Sequence, residues 1–350
     1  MEKAGPSEEQ INSVISILSS GRFQEALEKT TILNQKYPND SLLLNISGAC
    51  YQGLCRFETA IEYYEKSITI DSNYYKAHYN LGGLLQELGN LDASIKSFKN
   101  AIYLKPDYAE AHNNIGNVFK ELRQFDDAIK SFKKAIKINP KYFEAHYSLG
   151  TIFQDLNNLK AAISCYEEVL DIKPDLAELH NNLGVILQET GEIDAALKHL
   201  EEAIRIKPDF EEAYYNFSNI LYDDGQYDYA VKSYKQVLDL NPKHAETYNN
   251  LGIALKALDQ NDAALMSYKK AIEIKPDHVE AHFNLGNVLK DLGQLNEAVE
   301  SYKKTILIKK DNAEAHNELG IAFMYLGKLD SSIASYEEAL FINPVHEEFH

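Results

Sequence analysis

The sequence lacks the features of a disulfide-stabilised, exported or membrane-spanning protein. It has three cysteines, Cys50, Cys55 and Cys165, without a CxxC spacing, which excludes a disulfide framework and favours a reducing compartment. The polar start MEKAGPSEEQ has no basic stretch followed by an apolar one. No apolar run approaches the roughly 18 residues that a membrane helix needs. We therefore expect a soluble, cytoplasmic protein with no membrane partner.

Positive charge is also scarce. Lys and Arg number 35 against 53 Asp and Glu, a net charge of -18. Proteins that bind a phosphate backbone neutralise its anions with Lys and Arg, so this balance argues against a nucleic-acid partner. It remains compatible with partners that carry basic segments.

The common catalytic motifs are absent as well. The sequence contains no GxxxxGK(S/T), HExxH or GxSxG pattern, which leaves phosphate binding, zinc-protease and serine-hydrolase chemistry without local support. Cys165 fits a small buried apolar residue better than a nucleophile. We expect no enzymatic activity, no cofactor and no metal ion.

What the sequence does contain is a repeat of 34 residues. Prolines at 38, 106, 140, 174, 208, 242, 276 and 344 share one register, which only Ser72 and Lys310 interrupt. Each unit contains two stretches of helical periodicity, which we call helix A and helix B. A fixed period of this length built from two helices is typical of a stacked helical solenoid.

The ends of the predicted helices carry suitable residues. Asp-x-x-Glu patterns, such as Asp107 to Glu110, predict capping boxes at the start of helix A. Glycines recur where helix A should end, which predicts a left-handed backbone there. Four repeats have another residue at this position: Asn157 and Asp259 tolerate that conformation, whereas Arg123 and Cys55 fit it less well. A second glycine column inside helix A predicts close approach by the backbone of helix B, with alanines such as Ala128 facing it.

The order of small residue, glycine, aromatic, alanine, aromatic and proline resembles the tetratricopeptide repeat. Histidine or tyrosine replaces the tryptophan usual at position 4, and Val14 replaces glycine in the first unit. The resemblance predicts an all-α fold with a disordered segment at 1–6 and a partial further unit at 347–350. The ten units are 7–40, 41–74, 75–108, 109–142, 143–176, 177–210, 211–244, 245–278, 279–312 and 313–346.

The resemblance implies a right-handed superhelix whose A helices line a concave surface, with position 6 of each unit projecting into it. Position 4 carries histidines that we interpret as packing residues, because neighbours one repeat apart lie about 10 Å apart and cannot converge on a metal ion. These histidines are His78, His112, His146, His180, His282 and His316.

Position 6 is a column of asparagines, interrupted by Ser148 and ended by Glu318. A carboxamide can bond both the C=O and the N–H of one peptide unit, whatever side chain the ligand carries. Amides about 10 Å apart could grip about every third residue of an extended strand. We expect peptide contacts from Asn80, Asn114, Asn182, Asn216, Asn250 and Asn284 at position 6, from Tyr79, Tyr147, Tyr215 and Phe283 at position 5, and from Asn117, Asn219 and Asn287 at position 9.

Two alternatives stay open for these columns. The asparagines could be surface polar residues of the repeat consensus with no ligand. The aromatic side chains at position 5 could contact ligand side chains or fill gaps between neighbouring A helices. The acidic residues along helix A, and the absence of a base at position 5, favour neutral or basic extended or disordered segments over an acidic peptide tail.

Two functions fit the sequence. The first is a self-sufficient protein-binding scaffold. The second is the substrate-recruiting part of a larger enzyme, because the AEAHNNIGN style of helix A most resembles the superhelical half of O-linked N-acetylglucosamine transferases. The partial unit at 347–350 also predicts end-to-end self-association through an apolar stripe on the last helix, comprising Ile333, Tyr336, Leu340, Phe341 and Ile342.

Overall fold

The fold consists of helices joined by short turns, in a computed structural model that describes residues 5–344. The described chain divides into two compact parts of several repeats each, one up to Pro174 and the other from Asp175. We call these the first and the second unit, and we call each 34-residue hairpin a repeat. The first unit contains α1 (Glu8–Ser19), α2 (Phe23–Lys36), α3 (Ser41–Gly53), α4 (Phe57–Ile70), α5 (Tyr75–Glu87), α6 (Leu91–Leu104), α7 (Ala109–Glu121), α8 (Phe125–Ile138), α9 (Phe143–Asp155) and α10 (Leu159–Ile172). The second contains α11 (Ala177–Glu189), α12 (Ile193–Ile206), α13 (Glu211–Asp223), α14 (Tyr227–Leu240), α15 (Ala245–Ala257), α16 (Asn261–Ile274), α17 (Val279–Asp291), α18 (Leu295–Ile308), α19 (Ala313–Tyr325) and α20 (Leu329–Ile342).

Odd-numbered helices are helix A of a repeat and even-numbered helices are helix B. Each A helix contacts the B helix that follows it, and within each unit that B helix contacts the next A helix. Successive hairpins therefore stack side by side, and the predicted all-α solenoid of ten helical hairpins is confirmed. The predicted segments 1–6 and 347–350 lie mostly or wholly outside the described residues. Between residues 5 and 344, no helix is long and apolar enough to cross a membrane.

The turns after helix A adopt the left-handed backbone that the glycine pattern predicts. Six glycines there have φ between 72° and 83°. Cys55, Arg123, Asn157 and Asp259 adopt φ of 56° or 57° at the same place. The register of the repeat therefore imposes this conformation even on residues with a Cβ, which adopt it at a cost.

The predicted capping boxes at the A helices are wrong. α7 begins at Ala109 with Tyr108 as its N-cap, so Asp107 lies one residue too early to cap it, and no side chain caps this helix. At α19 the cap is Asn312, whose Oδ1 accepts from the Ala315 amide. The acidic residues near the helix starts are therefore free of the capping role that the sequence suggested.

The glycine column inside helix A accommodates a side chain rather than a neighbouring backbone. A Cβ at Gly116 would lie 2.8 Å from the Phe132 ring, and one at Gly82 would lie 2.9 Å from the Phe98 ring. The alanine carbonyl comes close only at Gly184, where Ala196 O would lie 3.2 Å from an added Cβ. The prediction of close backbone approach is therefore wrong at most of these glycines, because the group that approaches is mainly the aromatic ring at position 24.

Candidate functional site

The asparagines at position 6 form a ladder of interhelical hydrogen bonds in each unit. In the first unit, Asn80 Nδ2 donates to Asn45 Oδ1 at 3.0 Å, and Asn114 Nδ2 donates to Tyr79 OH at 2.9 Å. Each bond joins position 6 of one repeat to position 5 of the repeat before it. The amides of the ladder are therefore held in place by the neighbouring A helix.

The second unit repeats the pattern. Asn216 Nδ2 donates to Asn181 Oδ1 at 3.0 Å, Asn250 Nδ2 to Tyr215 OH at 3.2 Å, and Asn284 Nδ2 to Asn249 Oδ1 at 3.0 Å. The acceptors alternate between an asparagine and a tyrosine from one repeat to the next, as position 5 alternates in the sequence.

The ladder amides are only partly used by these bonds. A carboxamide offers two hydrogens and one acceptor oxygen, and each rung occupies one hydrogen. The oxygens of Asn114 and Asn250 also accept from the adjacent Asn113 and Asn249. The oxygens of Asn80, Asn216 and Asn284 accept no hydrogen bond from the described residues, and their side chains are half-buried. These three amides can each still bond a peptide unit from both ends.

The buried partners at position 5 were not identified from the sequence as part of the site. Asn181 and Asn249 are 1% and 3% exposed. Asn181 also donates to Glu212 Oε1 at 3.2 Å. The sequence did contain a signal. A buried asparagine needs a hydrogen-bond partner, and the residue 35 positions after each position-5 asparagine is the position-6 residue of the next repeat, which belongs to the predicted ladder. This second set of amides supports the ladder instead of facing a ligand.

The ladder is incomplete at three positions. The Asn182 side chain is exposed and forms no hydrogen bond with the described residues. Ser148 donates instead to Asn117 Oδ1 at 3.4 Å, and Glu318 pairs with Lys290. Asn182 is therefore the ladder residue whose amide is least committed to the fold.

The aromatic side chains at position 5 pack mainly against other rings of the protein. The Tyr79 ring lies 4.9 Å from that of Tyr108, and the Phe283 ring lies 6.0 Å from that of Tyr302. Tyr147 differs, because 42% of it is exposed. The structure thus gives most of this column the gap-filling role, and its ligand contacts stay a prediction.

Two of the three asparagines at position 9, Asn219 and Asn287, accept hydrogen bonds from buried tyrosines of helix B. Tyr234 OH donates to Asn219 Oδ1 at 2.7 Å, and Tyr302 OH donates to Asn287 Oδ1 at 2.8 Å. Burial raises the pKa of both tyrosines, so their hydroxyls stay protonated donors at neutral pH. Asn219 also accepts from Asn250 Nδ2 at 3.3 Å, which ties position 9 to the ladder.

A cavity of about 380 Å³ opens beside this junction in the second unit. Asn219 and Asn250 face it together with Tyr222 and the carboxylate of Asp223. Gln188 Nε2 donates to Asp223 Oδ2 at 3.2 Å. The cavity therefore combines amide groups, an aromatic wall and one negative charge along the predicted peptide path.

Acidic residues near the end of helix A, such as Glu87 and Asp291, also form polar contacts with the neighbouring repeat. Gln52 Nε2 donates to Glu87 Oε2 at 3.0 Å, and Lys256 Nζ lies 2.9 Å from Asp291 Oδ2. Each of these pairs joins neighbouring repeats. These carboxylates thus contribute to stacking as well as to the negative potential of the surface.

The histidines at position 4 and Cys165 contribute to the packing of the fold. His112 Nε2 and His146 Nε2 each lie 3.0 Å from the carbonyl oxygen of the proline six residues before, which confirms the packing role. Burial raises the pKa of the Cys165 thiol to about 11, which leaves little thiolate at neutral pH. Within the described residues, no group of three potential metal ligands could hold an ion.

Family models match most of the chain. Models described as "Tetratricopeptide repeat" match residues 43–74, 109–142, 142–209 and 313–344. A model described as "TPR repeat" matches residues 84–123, 219–259, 254–293 and 286–324. No curated protein matches the chain.

Several solved structures are similar to parts of the chain. The crystal structure of YrrB, titled a TPR protein with an unusual peptide-binding site, is 26% identical over 53% of this chain and 95% of its own, with a TM-score of 0.48. A crystal structure of MamA is 26% identical over 48% of this chain and 92% of its own, with a TM-score of 0.46. MamA from Desulfovibrio magneticus RS-1 is 22% identical over 49% and 97%, also at 0.46. Similarities at these TM-scores assign no ligand to this chain.

Proposed function

We propose, since this chain belongs to the tetratricopeptide repeat family, that it is a non-catalytic scaffold that binds extended segments of other proteins. The segment lies along the A helices and is held by the asparagines of position 6. The observation that carries this proposal is the half-used state of the ladder amides. Asn80, Asn216 and Asn284 are each oriented by one bond to the neighbouring repeat and retain an acceptor oxygen and a hydrogen for a ligand, whereas Asn182 is exposed with its whole amide uncommitted.

This arrangement lowers the entropic cost of binding. A free asparagine on a helix surface must be ordered before it can bond a peptide unit, which costs about 0.5–1.5 kcal/mol for a flexible side chain. The hydrogen bonds of the ladder already order these asparagines when the chain folds, so ligand binding does not have to order them. Because the amides contact backbone groups, the scaffold accepts varied sequences, and its selectivity comes from the cavities between the rungs.

The ligand is neutral or basic. Residues 175–350 carry 16 Lys and Arg against 31 Asp and Glu, whereas residues 1–174 carry 19 against 22. The negative potential is therefore concentrated in the second unit, where it steers basic segments toward the surface. The cavity at Asp223 supports the same choice. The three free cysteines suit a reducing compartment such as the cytoplasm.

The test is to select peptides and then remove ladder amides. Dodecamer peptides displayed on phage are panned against the full chain, and the best is titrated by fluorescence anisotropy. Asn182→Ala should weaken binding by about 0.5–1.5 kcal/mol, the net value of one hydrogen bond, with unchanged melting because Asn182 forms no hydrogen bond with any residue between 5 and 344. Asn216→Ala should weaken binding similarly but also destabilise the second unit.

Gln236→Ala is the matched control. Gln236 is an exposed amide of α14, on the helix B side, and should leave peptide affinity unchanged. Equal affinities of wild type, Asn182→Ala and Asn216→Ala would refute the ladder as the binding site.

A second candidate function, recruitment of substrates for a catalytic domain outside these residues, rests on the transferase-like style of helix A. It uses the same surface. It predicts that the selected peptides resemble sites that the larger enzyme modifies, whereas a scaffold has no such constraint. A parent reading frame that continues into a glycosyltransferase-like domain would favour the second candidate.

A further inference from the structure

Two cavities of the second unit lie at the same place in their repeats but differ in charge. The Asp223 cavity, beside the junction of Asn219 and Asn250, has a volume of about 380 Å³. The Asp291 cavity has a volume of about 620 Å³ and lies two repeats further along the chain. Asp223 and Ile253 of the first cavity correspond to Asp291 and Ile321 of the second.

The carboxylate of the Asp291 cavity is neutralised by the protein itself. Lys256 Nζ lies 2.9 Å from Asp291 Oδ2. Lys290 also lines this cavity and pairs with Glu318. A lysine of the neighbouring repeat therefore already takes the place that a cationic ligand would take at Asp291.

The Asp223 cavity has no such lysine. Gln188 stands at the position of Lys256, and Tyr222 stands at that of Lys290. Asp223 is the only charged residue that lines the cavity. Within residues 5–344, the only contact of its carboxylate is the hydrogen bond that Oδ2 accepts from the neutral Gln188 amide at 3.2 Å. The carboxylate of Asp223 thus has no counter-ion in the part of the chain that the structure describes.

The Asp223 cavity opens where a recurring contact between repeats is missing. At four places, position 12 of one repeat contacts the acidic residue at position 13 of the next: Gln52 with Glu87, Gln86 with Glu121, Gln188 with Asp223, and Lys256 with Asp291. Between the last two of these pairs, the same two positions hold Tyr222 and Ala257. Ala257 has no side chain that can accept a hydrogen bond, so this contact does not fill the space beside Tyr222.

The walls of the Asp223 cavity suit a guanidinium group. The Tyr222 ring is held against that of Tyr227, with ring centroids 5.3 Å apart, and a guanidinium stacks well on an aromatic ring. Asp223 Oδ1 and Gln188 Oε1 accept no hydrogen bond from the described residues. Arginine presents five N–H donors in a planar fork, whereas lysine is a more strongly hydrated point charge. A flat cation with several donors therefore uses more of these groups than an ammonium does.

We infer that the Asp223 cavity takes an arginine side chain of the bound segment. The guanidinium stacks on Tyr222 and donates to Asp223 and Gln188, and the aliphatic part of the side chain packs against Ile253. The inference rests on the function proposed for the ladder, because Asn250 both lines the cavity and belongs to the ladder. The ladder amides bind the backbone of any segment, so the arginine would set the register in which a segment lies along the A helices.

Other side chains fit the Asp223 cavity less well. A carboxylate of the ligand would be repelled by Asp223, which has no lysine to offset it. An apolar side chain would remove water from the carboxylate and from the amides without replacing their hydrogen bonds. Charge complementarity therefore favours a cation as the occupant.

The first experiment selects peptides without assuming their sequence. Dodecamers displayed on phage are panned in parallel against the full wild-type chain, Asp223→Asn and Gln188→Lys. Gln188→Lys places a lysine beside Asp223 in the way that Lys256 lies beside Asp291. Peptides selected on the wild type should carry arginine at one position about fivefold more often than the library does. Both variants should lose this enrichment.

The second experiment measures affinity with synthetic peptides. The best dodecamer from the wild-type selection is compared with analogues in which its arginine is replaced by lysine or by citrulline, which has the shape of arginine without its charge. Fluorescence anisotropy should show that the wild-type chain binds the arginine peptide about fivefold more tightly than either analogue. Asp223→Asn should bind the arginine and citrulline peptides equally.

Asp262→Asn is the matched control. Asp262 is an exposed residue of α16, a B helix of the same unit. The substitution removes the same charge from the second unit and should leave the preference for arginine over citrulline unchanged.

The inference is overturned if the wild-type selection shows no arginine enrichment, if lysine or citrulline binds as tightly as arginine, or if the preference survives in Asp223→Asn. It is also overturned if Asp262→Asn loses the preference as well. In each of these cases, weaker binding by Asn182→Ala and Asn216→Ala would leave the scaffold function intact. By contrast, peptides whose arginine preference depends on Asp223 but that ignore both asparagine substitutions would support the cavity and refute the ladder.

Discussion

The rung between Asn249 and Asn284 allows a quantitative test of the ladder. Asn249 is 3% exposed, accepts from Asn284 Nδ2 at 3.0 Å and donates to Asn250 Oδ1 at 3.3 Å. Asn249→Ala removes both bonds. At about 0.5–1.5 kcal/mol each, the loss should be about 1–3 kcal/mol. Asn284 and Asn250 are half-buried and can bond water instead, which keeps the loss within that range.

Asn284→Ala removes only one bond but has a comparable cost. It leaves the buried oxygen of Asn249 without the donor from α17, and a buried unsatisfied acceptor costs about 1–3 kcal/mol. Because both single variants break the same rung, the double variant should destabilise by less than their sum. We expect a coupling energy of about 1 kcal/mol.

The assay has to report on α15 and α17 locally, since arrays of repeats need not unfold in one step. Native-state hydrogen exchange of the amides in these helices gives local free energies of opening for the four proteins of the cycle. Asn182→Ala is the control and should stay within about 0.5 kcal/mol of wild type. A coupling energy near zero would show that the rung is only a geometric coincidence.

Three further predictions concern other parts of the chain. Gly116→Ala should destabilise by about 1–2 kcal/mol because its Cβ would lie 2.8 Å from the Phe132 ring, whereas Gly83→Ala in the open should stabilise by up to about 1 kcal/mol; equal melting shifts would contradict this. Burial, and secondly the neighbouring His180, lower the pKa of His199 below 6.5. The contribution of His199 to the free energy of unfolding is therefore complete above that pH and falls as the pH drops. His199→Gln should flatten the pH dependence of melting between pH 7 and 5, and an unchanged slope would exclude this contribution. Phe341 is 84% exposed on α20, so Phe341→Glu should shift the 350-residue chain toward monomer in analytical ultracentrifugation, unless the wild type already sediments as a monomer.

Much of the fold could be predicted because the same residue types recur at the same positions of successive repeats. The proline register fixed the hairpins, and the recurring glycines marked the left-handed turns, including the four positions where Cys55, Arg123, Asn157 and Asp259 stand instead. The capping boxes could not be predicted correctly, since their spacing fits a helix that starts at Tyr108 after an Asp107 cap, whereas α7 starts at Ala109. A difference of one residue there depends on tertiary packing.

The site was predicted less completely than the fold. The sequence identified the column of position 6, because a periodic asparagine on one face is visible without coordinates. It did not show that Asn181 and Asn249 are buried acceptors, since burial depends on how far neighbouring A helices approach.

If the ladder amides bond the backbone of an extended ligand, a backbone N-methyl scan of a selected peptide should find the N–H groups that they contact. Each analogue loses one N–H and keeps its side chains. We expect affinity losses of about 0.5–1.5 kcal/mol that recur about every third residue, and that vanish at the position facing Asn182 in the Asn182→Ala protein. Methylation without effect at every position, with losses only on side-chain substitution, would show that the ladder amides do not bond the ligand backbone.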